Sequence, residues 1–592
     1  MMYLTLRQLL LWSLQVIGDS AAETKRKKQE HWHSIDWEKA NRIVKSLQRR
    51  IVAAVQSNRW GKVKALQWLL THSYSAKVLA IRRVTENTGS RTSGVDGQIW
   101  DGPQAKMKAI GQLKTKGYKA KALRRVCLRK PNGKKRLLGI PTMRDRAMQA
   151  LYLQALEPIS ETLADHHSYG FRPYRNCHDA IGQCFTLLSK KTAPQYILEG
   201  DIRSCFDKIN HNYILEHIPL DKRVVQQWLK AGIIEKGKWY PTTEGTPQGS
   251  IISPTIANRV LDGMAQAIDQ AMNIRTHVYK KGAQAGQRKR MNNPHKVHFV
   301  RYADDWIVCA SDKTVLEQTI KPAIQTFLQQ RGLELAEEKT SITTIYEGFD
   351  FLGLHLRKYN NHKLIIKPSK KSVKKLLGKI RQTIKKMKAV PSYVLITHLN
   401  RMTKGWAMYY RFYCAKQTFQ FIDYHIWKAI WKWSVRRHPK KSSKWVAKKY
   451  FISYQGYRWT FFGKDDKRRY YLFRLSTVPI RRHVKIKATA NPFTKEDEPI
   501  FERHIQRKML HTLRNRQKLI TIFRRQAGKC PICQQHITKQ TAWHLHHIIE
   551  RYNGGKDTLD NLILLHPDCH YQLHYWDKRL DGDVLQRAFG QA

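Results

Sequence analysis

The segment HFVRYADDWIVCA at 298–310 constrains the fold more than any other stretch of the chain. Two apolar runs flank Ala303, Asp304 and Asp305, a pattern that predicts a strand, a tight turn and a second strand. Adjacent carboxylates at such a turn repel one another unless a cation neutralises them. Upstream, EGDIRSCFDKINH at 199–211 supplies a further acid, Asp201, at the end of the apolar run Tyr196, Ile197 and Leu198. Three carboxylates on two strands can clamp two divalent cations, which nucleotidyl transfer uses to lower the pKa of an attacking hydroxyl and to steady a triphosphate. Glu199 and Asp207 are neighbouring alternatives, although Asp207 fits better at a helix start.

The charge balance points to a polyanionic partner. Against 45 acids stand 108 Lys and Arg, a net charge of +63 spread along all 592 residues and far beyond what solubility requires. Aromatic residues make up 10% of the chain and add surfaces on which unpaired bases could stack. Six cysteines, Cys127, Cys177, Cys184, Cys205, Cys309 and Cys414, are scattered as free thiols of a reducing compartment would be, while Cys530, Cys533 and Cys569 cluster. No apolar run approaches the ~18 residues of a membrane span. Residues 1–30 begin with the charge, apolar and small-residue order of a signal peptide, but a first helix suits so basic and cysteine-rich a chain better than export. A bacterial cytoplasm is the simplest setting, with an organelle as the other.

Residues 31–85 read as basic helices, with Ile43, Leu47 and Ile51 recurring at fours. The stretch 86–100 reads as a loop, and alternating helices and short strands continue to about residue 366. Within them, 275–296 is polar, basic and aperiodic, which predicts a flexible insertion. Residues 367–388 contain no acid, yet Val373, Leu376, Leu377, Ile380, Ile384 and Met387 keep helical spacing, so a helix with an apolar underside and a cationic face is expected. Residues 391–435 are helical and rich in rings destined mostly for a core, and NPFTKEDEP at 491–499 reads as a linker.

In order along the chain, SGVDG (93–97), RVCLRKPNGKKRLLGIPTMRDRAMQ (125–149), SYGFRPYRNCHDAI (168–181), EGDIRSCFDKINH, GTPQGSIISPTIAN (245–258), RYADDWIV, GLELAEEKTSI (332–342) and GFDFLGLHLR (348–357) resemble the blocks of the reverse transcriptases encoded by group II introns. The resemblance implies that Asp201 and Asp304 are the principal metal ligands and Asp305 a third, more replaceable acid. It implies that Phe206 lies under the incoming sugar and selects deoxynucleotides, and that Lys130 and Arg136 grip the triphosphate. Gln248 and Gly249 would line the nucleotide pocket, and Lys339 would stand near the departing pyrophosphate. THLNRMTKGWAMYYRFY (397–413) is similar to part of the maturase region, whose role is to stabilise the folded intron RNA.

The terminal module reads separately. Cys530, Cys533, His566 and Cys569 have the spacing of a closed structural zinc site. His570 and His574, four apart on a helix, share a face and with His546 could hold a second divalent metal. His547 is then placed as general base and Asn561 as the residue that orients it or the scissile strand. This set resembles the HNH endonuclease motif.

The expected architecture is therefore a multidomain α+β chain: right-hand polymerase fingers and palm, a helical thumb or maturase domain, and a small zinc-containing ββα-metal HNH module. Its divisions are an N-terminal segment (1–30), an RNA-binding extension (31–95), fingers and palm (96–366), thumb and maturase (367–490), a linker and DNA-binding region (491–525) and the nuclease (526–592). The resemblance implies intron RNA, target double-stranded DNA and deoxynucleoside triphosphates as partners, with no membrane, and two magnesium ions at the polymerase site. Other readings are a splicing-only RNA-binding maturase, a domesticated reverse transcriptase, or a nuclease whose first 490 residues only bind nucleic acid.

Overall fold

Helices α1 (Trp37–Gln56), α2 (Trp60–His72), α3 (Tyr74–Thr85) and α4 (Pro103–Gln112) follow one another in the N-terminal extension. Asp36 caps α1 by accepting from the Lys39 amide at 2.8 Å, and Ala40, Val44, Ile51 and Val55 form its buried stripe. This face packs on the long helix α5 (Met143–Leu163), where Gln154 donates to the Ala76 carbonyl at 3.0 Å and accepts, through its own carbonyl, from Gln48 at 2.9 Å. The computed structural model describes residues 31–87, 89–129, 133, 135–278, 288–513 and 516–579. The segment 1–30, Lys130 and the tip 279–287 lie outside the described residues.

From residue 123 the strands are β1 (Leu123–Arg129), β2 (Lys135–Ile140), β3 (Tyr196–Gly200), β4 (Ile233–Glu235), β5 (Lys238–Tyr240), β6 (Arg275–Val278), β7 (Arg288–Met291), β8 (His298–Tyr302), β9 (Asp305–Ala310) and β10 (Ser341–Thr344). One sheet, ordered β2-β1-β4-β5, makes the fingers, and a second, ordered β10-β3-β9-β8, makes the palm. The palm strands bury Ile197, Leu198, Val300, Ile307 and Val308. Helix α6 (Cys177–Leu188) packs against β8, and α7 (Ser253–Leu261) packs against α5. The 275–296 insertion departs from expectation: its described arms β6 and β7 pair antiparallel, Thr276 opposite Arg290, and Arg290 forms an ion pair with Asp269. Pairing across the hairpin satisfies backbone groups that a loose insertion would leave to water.

A three-stranded sheet, β11 (Phe349–Phe351), β12 (Leu354–Lys358) and β13 (Leu364–Pro368), carries the palm into the thumb helices α8 (Lys370–Lys386), α9 (Ser392–Tyr410) and α10 (Lys416–Arg436). The hydroxyls of Tyr409 and Tyr410 donate to the Leu352 and Gly353 carbonyls at 2.8 and 3.0 Å. Helix α8 buries Leu376, Leu377, Ile380 and Ile384 and turns its lysines outward, as its spacing predicts. A second three-stranded sheet, β14 (Phe451–Tyr454), β15 (Tyr457–Lys464) and β16 (Arg469–Tyr471), closes this unit.

The chain then returns to the palm. His483 and the Ile486 amide both bond the buried carboxylate of Asp179, at 2.9 and 3.0 Å, and Arg175 donates to the Ala490 carbonyl at 2.6 Å. The segment expected to be a linker is pinned at its start, because the buried Asn491 donates to Thr162 at 3.1 Å and its amide bonds Asp497 at 2.9 Å. Helix α11 (Glu498–Thr512) follows, its Glu498 paired with Arg49 of α1 at 2.8 Å. Helix α12 (Gln517–Arg525) buries Ile522 and Phe523 in the same core as the hairpin β17 (His544–His547) and β18 (Leu562–Leu565), which leads into α13 (Pro567–Arg579). No helix among the described residues is long and apolar enough to cross a membrane.

Candidate active sites

Strand β3 ends at Gly200, which pairs with Trp306 of β9; the next step of that register sets Asp201 beside Asp305. Gly200 is required there, since a Cβ would lie 2.1 Å from the Trp306 ring. Strands β8 and β9 pair from Tyr302 to Asp305, leaving Ala303 and Asp304 as a two-residue turn with Ala303 at φ 59. Three acids thus converge. Burial first, then the charge of Asp201, raises the Asp304 carboxyl above its usual range; Asp305 reaches the surface at the strand end, yet desolvation by the packed turn together with the charges of Asp304 and Asp201 pushes it up to about 6. Such crowding stores a demand for positive charge. Lys339 meets part of it by forming an ion pair with Asp201. Glu199 is raised to about 7 by burial and by Asp350 rather than by the trio.

A cleft of about 1090 Å³ opens over Asp201 and Asp304, lined among others by Arg136, Phe171, Phe206 and Gln248. Arg136 donates to Gln248 at 2.9 Å, and Gln248 donates to Asp207 at 3.2 Å, so a polar chain crosses from fingers to palm. The Gly139 amide bonds the Gln248 carbonyl at 2.9 Å, and Gly249, at φ 113, passes so close that a Cβ would lie 3.1 Å from the Gly139 carbonyl oxygen. Phe206 stands edge-on to Phe171, ring centres 5.9 Å apart, and its carbonyl accepts from the Thr246 amide at 2.6 Å. The expected pocket residues Arg136, Phe206, Gln248 and Lys339 therefore surround one cleft with Asp201 and Asp304, and Gly249 packs behind its wall against Gly139.

One supporting residue escapes the motif reading. Arg301 is fully buried, bonds Asp262 at 2.7 Å and Asn258 at 3.4 Å, and reaches the Ala303 carbonyl at 3.4 Å, bracing the turn that carries Asp304. An arginine inside an otherwise apolar strand is the signal that could have marked it.

The second site lies on β17, β18 and α13. The ring centres of His546, His570 and His574 are 4.6–5.1 Å apart, and one ligand nitrogen from each lies within 4.8 Å of the others. Burial and the neighbouring rings lower His546 to about 3 and His570 to about 4, so both are neutral donors near pH 7. The buried Nε2 of His546 has no hydrogen-bond partner, which suits a metal ligand. His547, alongside, bonds Asp557 at 2.6 Å, and Arg551 bonds the same carboxylate at 2.8 Å. Asp557 was not singled out in the motif. Asn561 accepts from the Ile549 amide at 2.6 Å and donates to the Ile549 and Lys556 carbonyls at 3.0 and 2.9 Å, locking the loop that follows His547 rather than touching its ring.

Cys530, Cys533, His566 and Cys569 form a separate buried tetrad whose ligand atoms all lie within 4.8 Å of one another. His566 faces Cys533 at 3.2 Å, so the histidine completes the set that the cysteine spacing began. Three sulfurs and one imidazole nitrogen fit a closed tetrahedral metal site.

The reverse transcriptase (RNA-dependent DNA polymerase) family matches residues 128–356, and the N-terminal domain of reverse transcriptase matches 32–113. The group II intron maturase-specific domain matches 373–451, and the HNH endonuclease family matches 530–575. Protein YkfC of Escherichia coli (strain K12) is 30% identical over 57% of this chain and 93% of its own length. Group II intron-encoded protein LtrA of Lactococcus lactis subsp. cremoris is 32% identical over 47% of this chain. The chain belongs to the group II intron-encoded reverse transcriptases. A 91 kDa protein in the cob intron of Schizosaccharomyces pombe is 30% identical over 48% of this chain. The alignments span 54% of LtrA and 40% of the yeast protein, about half the length of these intron-encoded relatives. As a member of this family the chain carries reverse transcriptase, maturase and HNH endonuclease domains in that order.

Proposed function

We propose that the protein binds its intron RNA, assists splicing, nicks one strand of the target DNA and copies the intron RNA into DNA from the new 3′ end. The observation that carries this reading is the convergence of Asp201, Asp304 and Asp305, the first two in a cleft also lined by Arg136, Gln248 and Phe206. Asp201 and Asp304 would hold two magnesium ions, with Asp305 as the third acid; bound there, the ions lower the pKa of the primer hydroxyl and neutralise the triphosphate. Arg136 grips triphosphate oxygens, Gln248 sets the pocket wall, and Phe206 closes the space a 2′-hydroxyl would need. Lys339 is positioned to hold a proton for the departing pyrophosphate.

In the terminal module, His546, His570 and His574 would hold a divalent ion that stabilises the leaving 3′ oxygen. His547 takes the proton from the attacking water, and Asn561 holds the loop that follows it in place. Zinc in the cysteine-histidine tetrad would tie α13 to the Cys530–Cys533 turn. The basic face of α8 and the +63 net charge suit it to intron RNA and duplex DNA, and a cell or organelle compartment holding both is the expected setting.

A duplex carrying the target, incubated with the intron ribonucleoprotein, magnesium and deoxynucleotides, should yield complementary DNA covalently joined to the nicked strand. Splicing support without such a product would favour the RNA-binding maturase reading instead.

A further inference from the structure

The terminal nuclease does not merely follow the polymerase along the chain; it is seated on the N-terminal helices. Arg82 of α3 is 7% exposed, with its guanidinium 4.6 Å from the ring of Trp37, paired with Glu86 at 3.0 Å and donating to the Cys569 sulfur at 3.5 Å. Beside it Asp568, 6% exposed, accepts from the Trp32 indole at 3.3 Å and pairs with Lys106 of α4 at 3.1 Å. One turn on, Gln572 donates to the Ile35 carbonyl at 2.9 Å, and His31 stacks on Tyr575 at 4.3 Å. These polar contacts, among them bonds separated by 462 to 537 positions, bring three N-terminal elements onto the first turns of α13.

The chemistry of this junction is that of an interior. Trp32 and Trp37 are 0% and 2% exposed, and the buried core of the nuclease, with Phe523, Leu564 and Leu573, is continuous with that of the N-terminal helices. A module hanging freely on its linker would keep a carboxylate such as Asp568 in water, because burying a charge is unfavourable unless it is paired and hydrogen-bonded. Here Asp568 has both partners, and each comes from the other end of the chain. The same turn carries Cys569 of the tetrad and His570, and the next carries His574, so the seat acts directly on the helix that supplies both clusters.

We propose that the N-terminal extension is the nuclease's docking surface, joined through Trp32, Arg82, Lys106 and Asp568, so that the nicked 3′ end arises at a fixed place relative to the polymerase cleft. The end is then handed over within one molecule, at an effective concentration set by geometry rather than by diffusion. This rests on the nuclease and polymerase roles proposed above.

The full-length chain carrying both Lys106→Met and Asp568→Asn loses the ion pair without leaving a buried charge alone, and Trp32→Phe removes the indole donor while the ion pair of Lys106 with Asp568 stays in place. In hydrogen exchange, peptides covering 31–37 and 567–575 should exchange about tenfold faster in both variants, while 544–547, 562–565 and 298–310 stay protected. With target duplex and intron RNA, the fraction of nicks extended should fall about tenfold, nicking alone and extension of a supplied primer being unchanged. Unchanged exchange at 31–37, loss of protection at 562–565 together with 567–575, or an unchanged extended fraction would each overturn the proposal. If the wild type neither nicks nor extends, the catalytic reading fails, whereas the exchange result still decides the docking.

Discussion

Lys339 donates to the carboxylate of Asp201, while the Ala336 amide, one turn earlier, bonds the Asp201 carbonyl at 2.9 Å, so one short segment holds both ends of this residue. Because the lysine side chain is 59% exposed, the pair should contribute only ~0–1 kcal/mol to stability. Lys339→Ala should therefore leave thermal unfolding nearly unchanged, while single-turnover extension falls roughly 100-fold or more if the lysine supplies a proton. Lys339→Arg should restore part of the rate.

The acid cluster carries a pH signature. Asp305 is raised from 3.8 to about 6, so it binds a proton on folding; the stability this confers is complete at low pH and is lost as pH rises from 3.8 through about 6. The melting temperature of the wild type, relative to Asp305→Asn, should decline across that window in magnesium-free buffer. Added magnesium should raise the wild-type melting temperature more at pH 7 than at pH 5. A flat difference between the two proteins would contradict the crowding of the three acids.

Arg301 and Asp262 form an interior ion pair, their side chains 0% and 2% exposed. Arg301→Met leaves the buried carboxylate with Arg259 alone, at 3.6 Å, and the expected loss is about 3 kcal/mol, the lower end for breaking a buried pair, read as a lower denaturant midpoint. Extension should fall more than stability alone explains, because the Ala303 carbonyl loses its brace.

Asp557 is held at about 2 by its hydrogen bonds to His547 and Arg551. Asp557→Ala should slow nicking by roughly 10- to 100-fold, the usual effect of removing a partner that orients an active histidine. His547→Ala should abolish nicking, and neither change should touch extension of a supplied primer.

How much of this was legible in the sequence depended on how local each feature is. The β8–β9 hairpin and its acids could be read because apolar alternation and a tight turn lie within one short segment, and α8 because its apolar residues keep a helical period. The tetrad was legible from spacing, with His566 the member that only the fold brings against Cys533. The chain Arg136–Gln248–Asp207 was not, since it joins positions 112 and 41 apart, although a family resemblance had named two of its members. Arg301 looked like one more cation in a basic chain, and its value lies in the buried Asp262 opposite. The 275–296 arms pair, and Asn491 is pinned by Thr162, because backbone and amide groups there find partners that no local pattern reveals.

The most direct measurement is primer extension on an RNA template with magnesium and deoxynucleotides, comparing the wild type with Asp304→Ala. Extension should vanish in the variant while intron RNA binding and DNA nicking remain at wild-type levels; extension persisting within about tenfold of the wild type, against the several orders of magnitude that electrostatic stabilisation supplies, would contradict the assignment of Asp304 to the polymerase centre.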